Sequence, residues 1–359
     1  MKILVMGAGV VGKAVAHDLS RDYDISVGDK DEKNLEKVEG QAETFLLDIE
    51  DEEEVISHMK EHDVVVGSLP GRFGLKTIKL ALEAGVDIVD VSFMPEDPLP
   101  LDDKAKQSGS TVIVDAGFGP GMSNVFAGKI AENIDELERL KIWIGSLPIK
   151  AEPPLFYKLT WSPKDLIEEY TRPARYIIDG EVVEVDPMED IKKDMIIDDK
   201  EFEGFYSDGL RTLLETIEVK DMEEITLRWA GHLEKFRILR ELGFFDEENV
   251  DFTLDVIKDK MDYESDDFSI MKVVGEGPEE DVEVRETYLF YDEESEGFSS
   301  IARSTGFSTA VMTRSLIEKD LRDGVIPPEE LGRKEDLFDF LIEGLKDRGI
   351  HIERNISSL

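Results

Sequence analysis

The 359-residue chain contains no cysteine, which excludes disulfides, thiolate metal sites and cysteine nucleophiles. It also lacks any stretch approaching the ~18 consecutive apolar residues of a membrane-spanning helix. Positive charge is scarce: 42 Lys plus Arg stand against 83 Asp plus Glu, a formal net charge of -41. Such a field repels nucleic-acid phosphates and anionic lipid, so neither nucleic acid nor membrane is an expected partner. Only five histidines occur, none of them in the acidic clusters at 51–54 and 293–296. Without histidine or ordered ligand spacing, no metal site is expected there. The acidic excess fits a solvated surface whose self-repulsion salt screens.

What is present is a foldable chain. Hydrophobic residues make up 41 %, enough for cores, and the length suggests two domains. Met1 and Lys2 run directly into a predicted strand and a glycine-rich turn, so no secretory signal is expected and the chain reads as cytoplasmic.

The first third alternates short apolar runs with amphipathic stretches. Strands are predicted at 2–6, 24–28, 43–47, 63–68, 87–91 and 111–115, with helices at 10–20, 32–38, 52–60, 73–84 and 102–107. The strands are rich in Val and Ile and hardly alternate, as in a parallel sheet covered on both faces. The expected fold class is α/β: a Rossmann doubly wound parallel sheet of order 3-2-1-4-5-6, plus a second α+β domain with a largely antiparallel sheet. In that second domain, strands are expected at 140–144, 177–185, 224–229, 269–274 and 282–291. Asp179-Gly180 supplies a hairpin turn, and helices are expected near 163–170 and 232–242. Helical spacing returns at 307–321 and 335–346. The expected domains are 1–122 for the dinucleotide and 123–304 for substrate and dimerisation. Residues 305–359 are too few to stand alone, so they are expected to pack back onto the first. A homodimer through the open sheet is the default expectation.

The sequence Gly7-Ala8-Gly9-Val10-Val11-Gly12 places G-x-G-x-x-G between a predicted strand and helix. Gly7 permits the turn, Gly9 leaves room for a pyrophosphate, and Gly12 allows close helix–strand packing; the N–H groups of Val10 and Val11 open the helix. Asp29 follows at the distance where a carboxylate accepts ribose hydroxyls, which favours NAD, with NADP still possible because Lys30 and Lys33 are close by. Asp48 ends the third strand and either faces the adenine or caps the next helix. Ser68, Leu69 and Pro70 follow the fourth strand, where they either lie along the nicotinamide half or form a plain turn.

With these in hand, further blocks resemble the saccharopine dehydrogenase family. They are VDAGFGPGMSN at 114–124, GSLP at 145–148, PPL at 153–155, WSP at 161–163, SDGLRTL at 207–213 and RWAGHLEK at 228–235, and they span nearly the whole chain. Within the family the chain is most similar to lysine 6-dehydrogenases, with saccharopine reductases and carboxynorspermidine dehydrogenases as close relatives. The resemblance implies hydride transfer at a carbon bearing nitrogen, on an amino acid substrate.

Oxidising an amine requires a neutral nitrogen and an activated water, tasks for a carboxylate or histidine. Asp115 and Asp90 end the sixth and fifth strands on the ligand-bearing edge, as bases or turn-stabilising carboxylates. His232 stands at a strand-to-helix junction, for the substrate pocket or for a capping or core role. Arg211 offers a fork for a substrate carboxylate or a structural salt bridge, with Thr212 beside it. Lys235, one turn beyond His232, either shares its face or is solvated. Three functions remain open: an NAD-dependent lysine-type dehydrogenase, a reductase joining an aldehyde to an amino acid, and a dinucleotide-binding regulator without catalysis.

Overall fold

The computed structural model describes residues 1–197, 199–279 and 282–359. In chain order, β1 (Lys2–Met6), α1 (Val10–Leu19), β2 (Asp24–Asp29), α2 (Glu32–Leu35), β3 (Glu43–Leu46) and α3 (Glu52–Lys60) come first. Next are β4 (Val64–Gly67), α4 (Gly74–Ala84), β5 (Asp87–Asp90), α5 (Asp102–Ser108), β6 (Thr111–Ile113) and α6 (Met122–Asn133). Then follow β7 (Arg139–Pro148), α7 (Pro163–Thr171), β8 (Ala174–Ile178), β9 (Glu181–Val185), β10 (Lys192–Ile197) and β11 (Lys200–Tyr206). After these lie α8 (Leu213–Thr216), β12 (Asp221–Arg228), α9 (His232–Glu241), α10 (Val250–Met261), β13 (Asp267–Glu279) and β14 (Val282–Glu293). The chain closes with α11 (Ser300–Glu318), β15 (Gly324–Ile326), α12 (Pro328–Arg333), α13 (Glu335–Lys346) and β16 (His351–Ser358). Two compact units result: Met1–Lys129 with Ala302–Gly349, and Ile130–Ile301 with Ile350–Leu359.

The first unit is built on a parallel sheet of order β15-β6-β5-β4-β1-β2-β3. This is the doubly wound order read from the sequence, extended by one strand. Val64, Val65 and Val66 of β4 are buried, as are Ile3, Leu4 and Val5 of β1, because helices cover both faces and leave no position for a polar alternation. The added strand β15 is three residues long and pairs parallel with β6. Charge secures the return of the C-terminal segment: the buried Asp18 carboxylate on α1 accepts Arg314 of α11 at 2.6 Å and Arg348 at 2.7 and 2.8 Å.

The second unit holds a largely antiparallel sheet along the path β10-β11-β12-β7-β13-β14-β16, with β8 joining β12 to β9. Its parallel exception is β12 beside β7. Asp179 and Gly180 both take positive φ, 48° and 81°, the backbone that a two-residue hairpin of matching twist requires. The boundaries differ from expectation: the first unit runs to Lys129 and resumes at Ala302, but only as far as Gly349, and His351–Ser358 pairs with β14 of the second sheet. The core of this unit is aromatic, with Tyr157, Tyr170, Phe202, Phe205, Phe236 and Phe268 all buried. Burial of such a side chain stabilises by roughly 1.5–3 kcal/mol. Among the described residues, no helix is long and apolar enough to cross a membrane.

Candidate cofactor and substrate sites

The glycine turn is built from three different steric demands. Gly7 has φ +100°, and a Cβ there would lie 2.7 Å from the Ser68 carbonyl oxygen. A Cβ on Gly12 would collide with the Gly7 carbonyl and come within 2.6 Å of Ser68 Oγ. Gly9 is unlike both, since a Cβ would meet nothing within 4 Å, so packing within the fold does not explain a glycine there. Gly9 is also the N-cap of α1, with no side-chain cap and no acidic residue in the first turn. By contrast, α3 is capped by Asp51 and begins with Glu52, Glu53 and Glu54. The first-turn amides of α1, including Val10 and Val11, are thus left for an exogenous anion at the positive end of the helix dipole.

Asp29 closes β2 beside this turn. Its Oδ2 accepts the Ala8 backbone N–H at 2.7 Å, and its Oδ1 accepts the Asp31 N–H at 2.8 Å. Asn34 Nδ2 makes a longer contact of 3.5 Å to the same Oδ2. A carboxylate has about four lone-pair sites, so one is open to a hydroxyl donor and a second becomes so when the long Asn34 contact yields. Lys30 and Lys33 are exposed. Ser68 donates to the Met6 and Gly7 carbonyls at 2.8 and 3.0 Å, which clamps the end of β4 to the glycine turn; Leu69 and Pro70 are half-buried beyond it. Asp48 is exposed, closes a local turn by accepting the Glu50 N–H, and opens onto an acidic cleft of ≈ 550 Å³ with Glu50, Asp51, Glu52 and Glu53. Asp51 rather than Asp48 caps the following helix.

The two strand-edge carboxylates are adjacent but differ. Ala116 N–H bonds to the Asp90 carbonyl at 2.9 Å, so β5 and β6 bring Asp90 and Asp115 to neighbouring strand ends. Asp90 is buried, with Oδ1 accepting both the N–H and the hydroxyl of Ser92, and its carboxyl fills the space that Gly67 leaves empty. That packing favours the turn-stabilising role expected for Asp90 as the alternative to a base, with the carboxyl set against the end of β4. Asp115 is likewise buried, on left-handed backbone with φ 49°.

In the second unit, His232 is fully buried. Its Nδ1 lies 2.7 Å from the Leu155 carbonyl and its Nε2 2.8 Å from the Tyr170 hydroxyl. A carbonyl only accepts, so Nδ1 carries the proton and Nε2 accepts from Tyr170. Burial, reinforced by the Arg228 charge, pushes the imidazole down to about 3. Of the two roles expected for His232, this environment favours the core one: the ring is neutral, both nitrogens are engaged and the Phe236 ring lies 4.1 Å away. Beyond it runs a chain that sequence reasoning missed. Arg228 Nε donates to Tyr170 at 2.8 Å, and its other nitrogens bond the Leu227 carbonyl and the Glu169 carboxylate. The available signal was a lone charged residue, Arg228, within the run Ile225-Thr226-Leu227-Arg228-Trp229. Lys235 donates to the Gly231 carbonyl and stacks over Phe156 at 4.5 Å, so it is not fully solvated, and its charge is felt at the His232 ring.

Arg211 and Thr212 are buried, and Arg211 has φ 53°. They close a loop opened by Asp208, which takes a two-pronged ion pair from Arg175 at 2.8 and 3.0 Å. Under the loop lies Glu224, which the sequence did not single out. It is 4 % exposed, and Ser207 donates to its Oε1 at 2.9 Å. Burial pushes its carboxyl up to about 8. Among the described residues, no group of three or more His, Asp or Glu is arranged to hold a metal ion.

Comparison with known proteins decides the family. The profile described as Saccharopine dehydrogenase NADP binding domain matches residues 3–113, and that described as Saccharopine dehydrogenase C-terminal domain matches 117–350. The chain belongs to the saccharopine dehydrogenase family. It is 25 % identical over 265 residues to a saccharopine dehydrogenase [NADP(+), L-glutamate-forming] of Schizosaccharomyces pombe, covering 68 % of this chain and 58 % of that protein. A carboxyaminopropylagmatine dehydrogenase of Synechocystis is 23 % identical over 266 residues, covering 67 % of this chain and 66 % of that one. The solved apo saccharopine dehydrogenase (L-Glu forming) of Saccharomyces cerevisiae shares the fold, with TM-score 0.83, 20 % identity and 99 % coverage of both chains. The chain spans 58 % and 60 % of the length of two fungal relatives. As a member of this family, it carries in its first unit a domain for a nicotinamide dinucleotide, and the uncapped amides at Gly9 fit the pyrophosphate of that cofactor.

Proposed function

We propose that the chain is an NAD-dependent oxidoreductase acting on the CH–NH group of an amino acid, with the side-chain amine of L-lysine as substrate. The amino-acid part of this reading is supported by the family; the observation that carries the cofactor part is Asp29, a carboxylate fixed by two backbone N–H groups beside an uncapped helix start. A carboxylate so anchored cannot turn aside for a 2′-phosphate, and its charge repels one, which supports NAD over NADP. The nicotinamide, when bound, takes a hydride from the carbon bearing nitrogen.

Asp115 is the carboxylate we assign to the substrate amine. It lies two residues past the end of β6 on the ligand-bearing edge, on left-handed backbone of the kind that collects at functional sites. Accepting the ammonium proton there leaves a nitrogen lone pair to assist hydride departure. Water then adds to the imine and ammonium leaves, so lysine, NAD and water give the ε-aldehyde, NADH, ammonium and a proton. Arg211 is the proposed partner of the substrate carboxylate, with Thr212 beside it. Lys235 is bound to the Gly231 carbonyl, and we assign it no step.

A second reading is supported by the similarity to saccharopine dehydrogenases: joining an aldehyde to an amino acid and reducing the imine. Purified protein given L-lysine and NAD is expected to produce reduced-cofactor absorbance. Silence with lysine, combined with oxidation of NADH in the presence of an aldehyde and glutamate, would replace the first reading with the second. Cofactor binding without turnover of any amine would leave a dinucleotide-binding regulator.

A further inference from the structure

The loop Ser207, Asp208, Gly209, Leu210, Arg211, Thr212 is buried along its length, and Glu224 of β12 lies beneath it. Three contacts define how the carboxyl meets the loop. Thr226 donates to Ser207 Oγ at 2.7 Å, and Ser207 in turn donates to Glu224 Oε1 at 2.9 Å. The other oxygen, Oε2, is buried with no hydrogen-bond partner among the described residues. Gly209 has no side chain where the carboxyl sits: a Cβ there would collide with Oε1 and lie 2.5 Å from Oε2. Gly209 does not take left-handed backbone, so conformational need does not explain a glycine there. The close approach of the carboxyl does.

We propose that Glu224 is a positioning residue for amino-acid recognition, the buried acid on which this loop rests and which sets the backbone presenting Arg211 and Thr212. The inference rests on the reading of Arg211 as the partner of the substrate carboxylate. A neutral acid suits the place, because an ionised carboxylate with one donor and no water is costly to bury. Its surroundings favour neutrality. Asp208 is paired with Arg175 and Glu169 with Arg228, so both cations are already engaged, and both carboxylates disfavour a third negative charge. From the neighbouring strand β7, Ile142 stands in register with Glu224 and adds only apolar surface. Raising the pH through about 8 ionises Glu224, and the loop must lift for water to reach the new charge. Amino-acid binding is thereby weakened at alkaline pH, while the dinucleotide turn, in the other unit, is untouched.

The test compares wild type, Glu224→Gln and Gly209→Ala. Hydrogen exchange of amides 209–212, corrected for intrinsic rate and compared at pH 7 and pH 9, reads the loop directly. Wild type is expected to lose protection at the higher pH, and Glu224→Gln, which cannot ionise, to keep it. In steady-state kinetics, wild-type KM for the amino acid is expected to rise about tenfold per pH unit above the transition, as for a single blocking ionisation. The profile of Glu224→Gln, measured with the same substrate so that the substrate's own ionisation cancels, is expected to lack that rise. Gly209→Ala is expected to raise KM by about tenfold or more through misplacement of the loop, with NAD affinity unchanged as evidence of folding. An identical pH response in wild type and Glu224→Gln, by exchange and by KM, overturns the proposal. Failure of wild type to turn over any amino acid would instead defeat the substrate reading, and the exchange comparison would still decide the role of Glu224.

Discussion

Ala8 donates its backbone N–H to Oδ2 of Asp29 at 2.7 Å, joining the glycine turn to the end of β2 across 21 residues. The carboxylate proposed to select the cofactor is therefore bonded directly to the turn proposed to bind it. Replacing Asp29 with Ala removes the ribose acceptor and loosens the turn. NAD affinity is expected to fall by roughly 1.5–3 kcal/mol, the range for hydrogen bonds to a charged group. NADP is expected to lose less, because the exposed Lys30 and Lys33 remain for its phosphate. Calorimetric titration with both cofactors checks the ratio.

Gly9 and Gly12 separate ligand from fold. A methyl group at Gly9 meets nothing in the protein, so Gly9→Ala is expected to melt near wild type yet bind NAD weakly. The same change at Gly12 drives Cβ into the Gly7 carbonyl and Ser68 Oγ, an overpacking worth ~1–3 kcal/mol. Its melting temperature is expected to fall along with cofactor affinity. Thermal melts paired with binding isotherms on both variants distinguish the two roles; equal melting losses would count against the division.

Asp18 holds two arginines that arrive nearly the length of the chain away, Arg314 and Arg348. Removing it leaves a buried gap with no carboxylate in the structure's contacts for Arg348, while Arg314 keeps only the exposed Asp22, at 2.7 Å. Asp18→Ala is expected to cost ~3–5 kcal/mol, as for other broken buried pairs. Urea unfolding followed by a probe in the first unit measures the loss. A change below about 1 kcal/mol, the usual ceiling for an exposed pair, would show that the cluster does not hold the C-terminal segment.

His232 carries a pH signature with a definite sign. Its folded-state pKa is depressed to about 3 from the ordinary 6.5. Between those values the unfolded chain takes up a proton that the folded one refuses, so the stability it contributes is present above about 6.5 and is lost as pH falls toward 3. The loss is at most about 1.4 kcal/mol per pH unit. Wild type minus His232→Asn, unfolded in urea at pH 7 and pH 5, is expected to show this slope. The pH–rate profile is expected to carry no inflection from His232.

Much of the first unit was legible because β1 and β4 are continuous apolar runs and the glycine turn sits in its proper context between strand and helix. The strand β15 was not, since three residues carry no periodicity. The strands β10 and β11 begin with lysines and hold Asp194, Glu201 and Glu203, so their sequence lacks a clear two-residue alternation; β16, with few buried positions, gives the same weak signal. At the site, Asp29 was readable from its distance to the glycines. The burial of Arg228 and Glu224 was not, because a charged residue within a strand reads as facing water until its partners, Glu169 and Tyr170 for one and Ser207 for the other, are seen in three dimensions. The surroundings of His232 were hidden for the same reason: its neighbours in sequence mark a junction, while its neighbours in space are aromatic rings.

The account is tested most directly by a crystal structure determined with saturating NAD. It predicts the pyrophosphate against the amides at Gly9 and Val10, with both adenosine ribose hydroxyls on Asp29. Coenzyme density away from that turn, or none despite saturation, would contradict it.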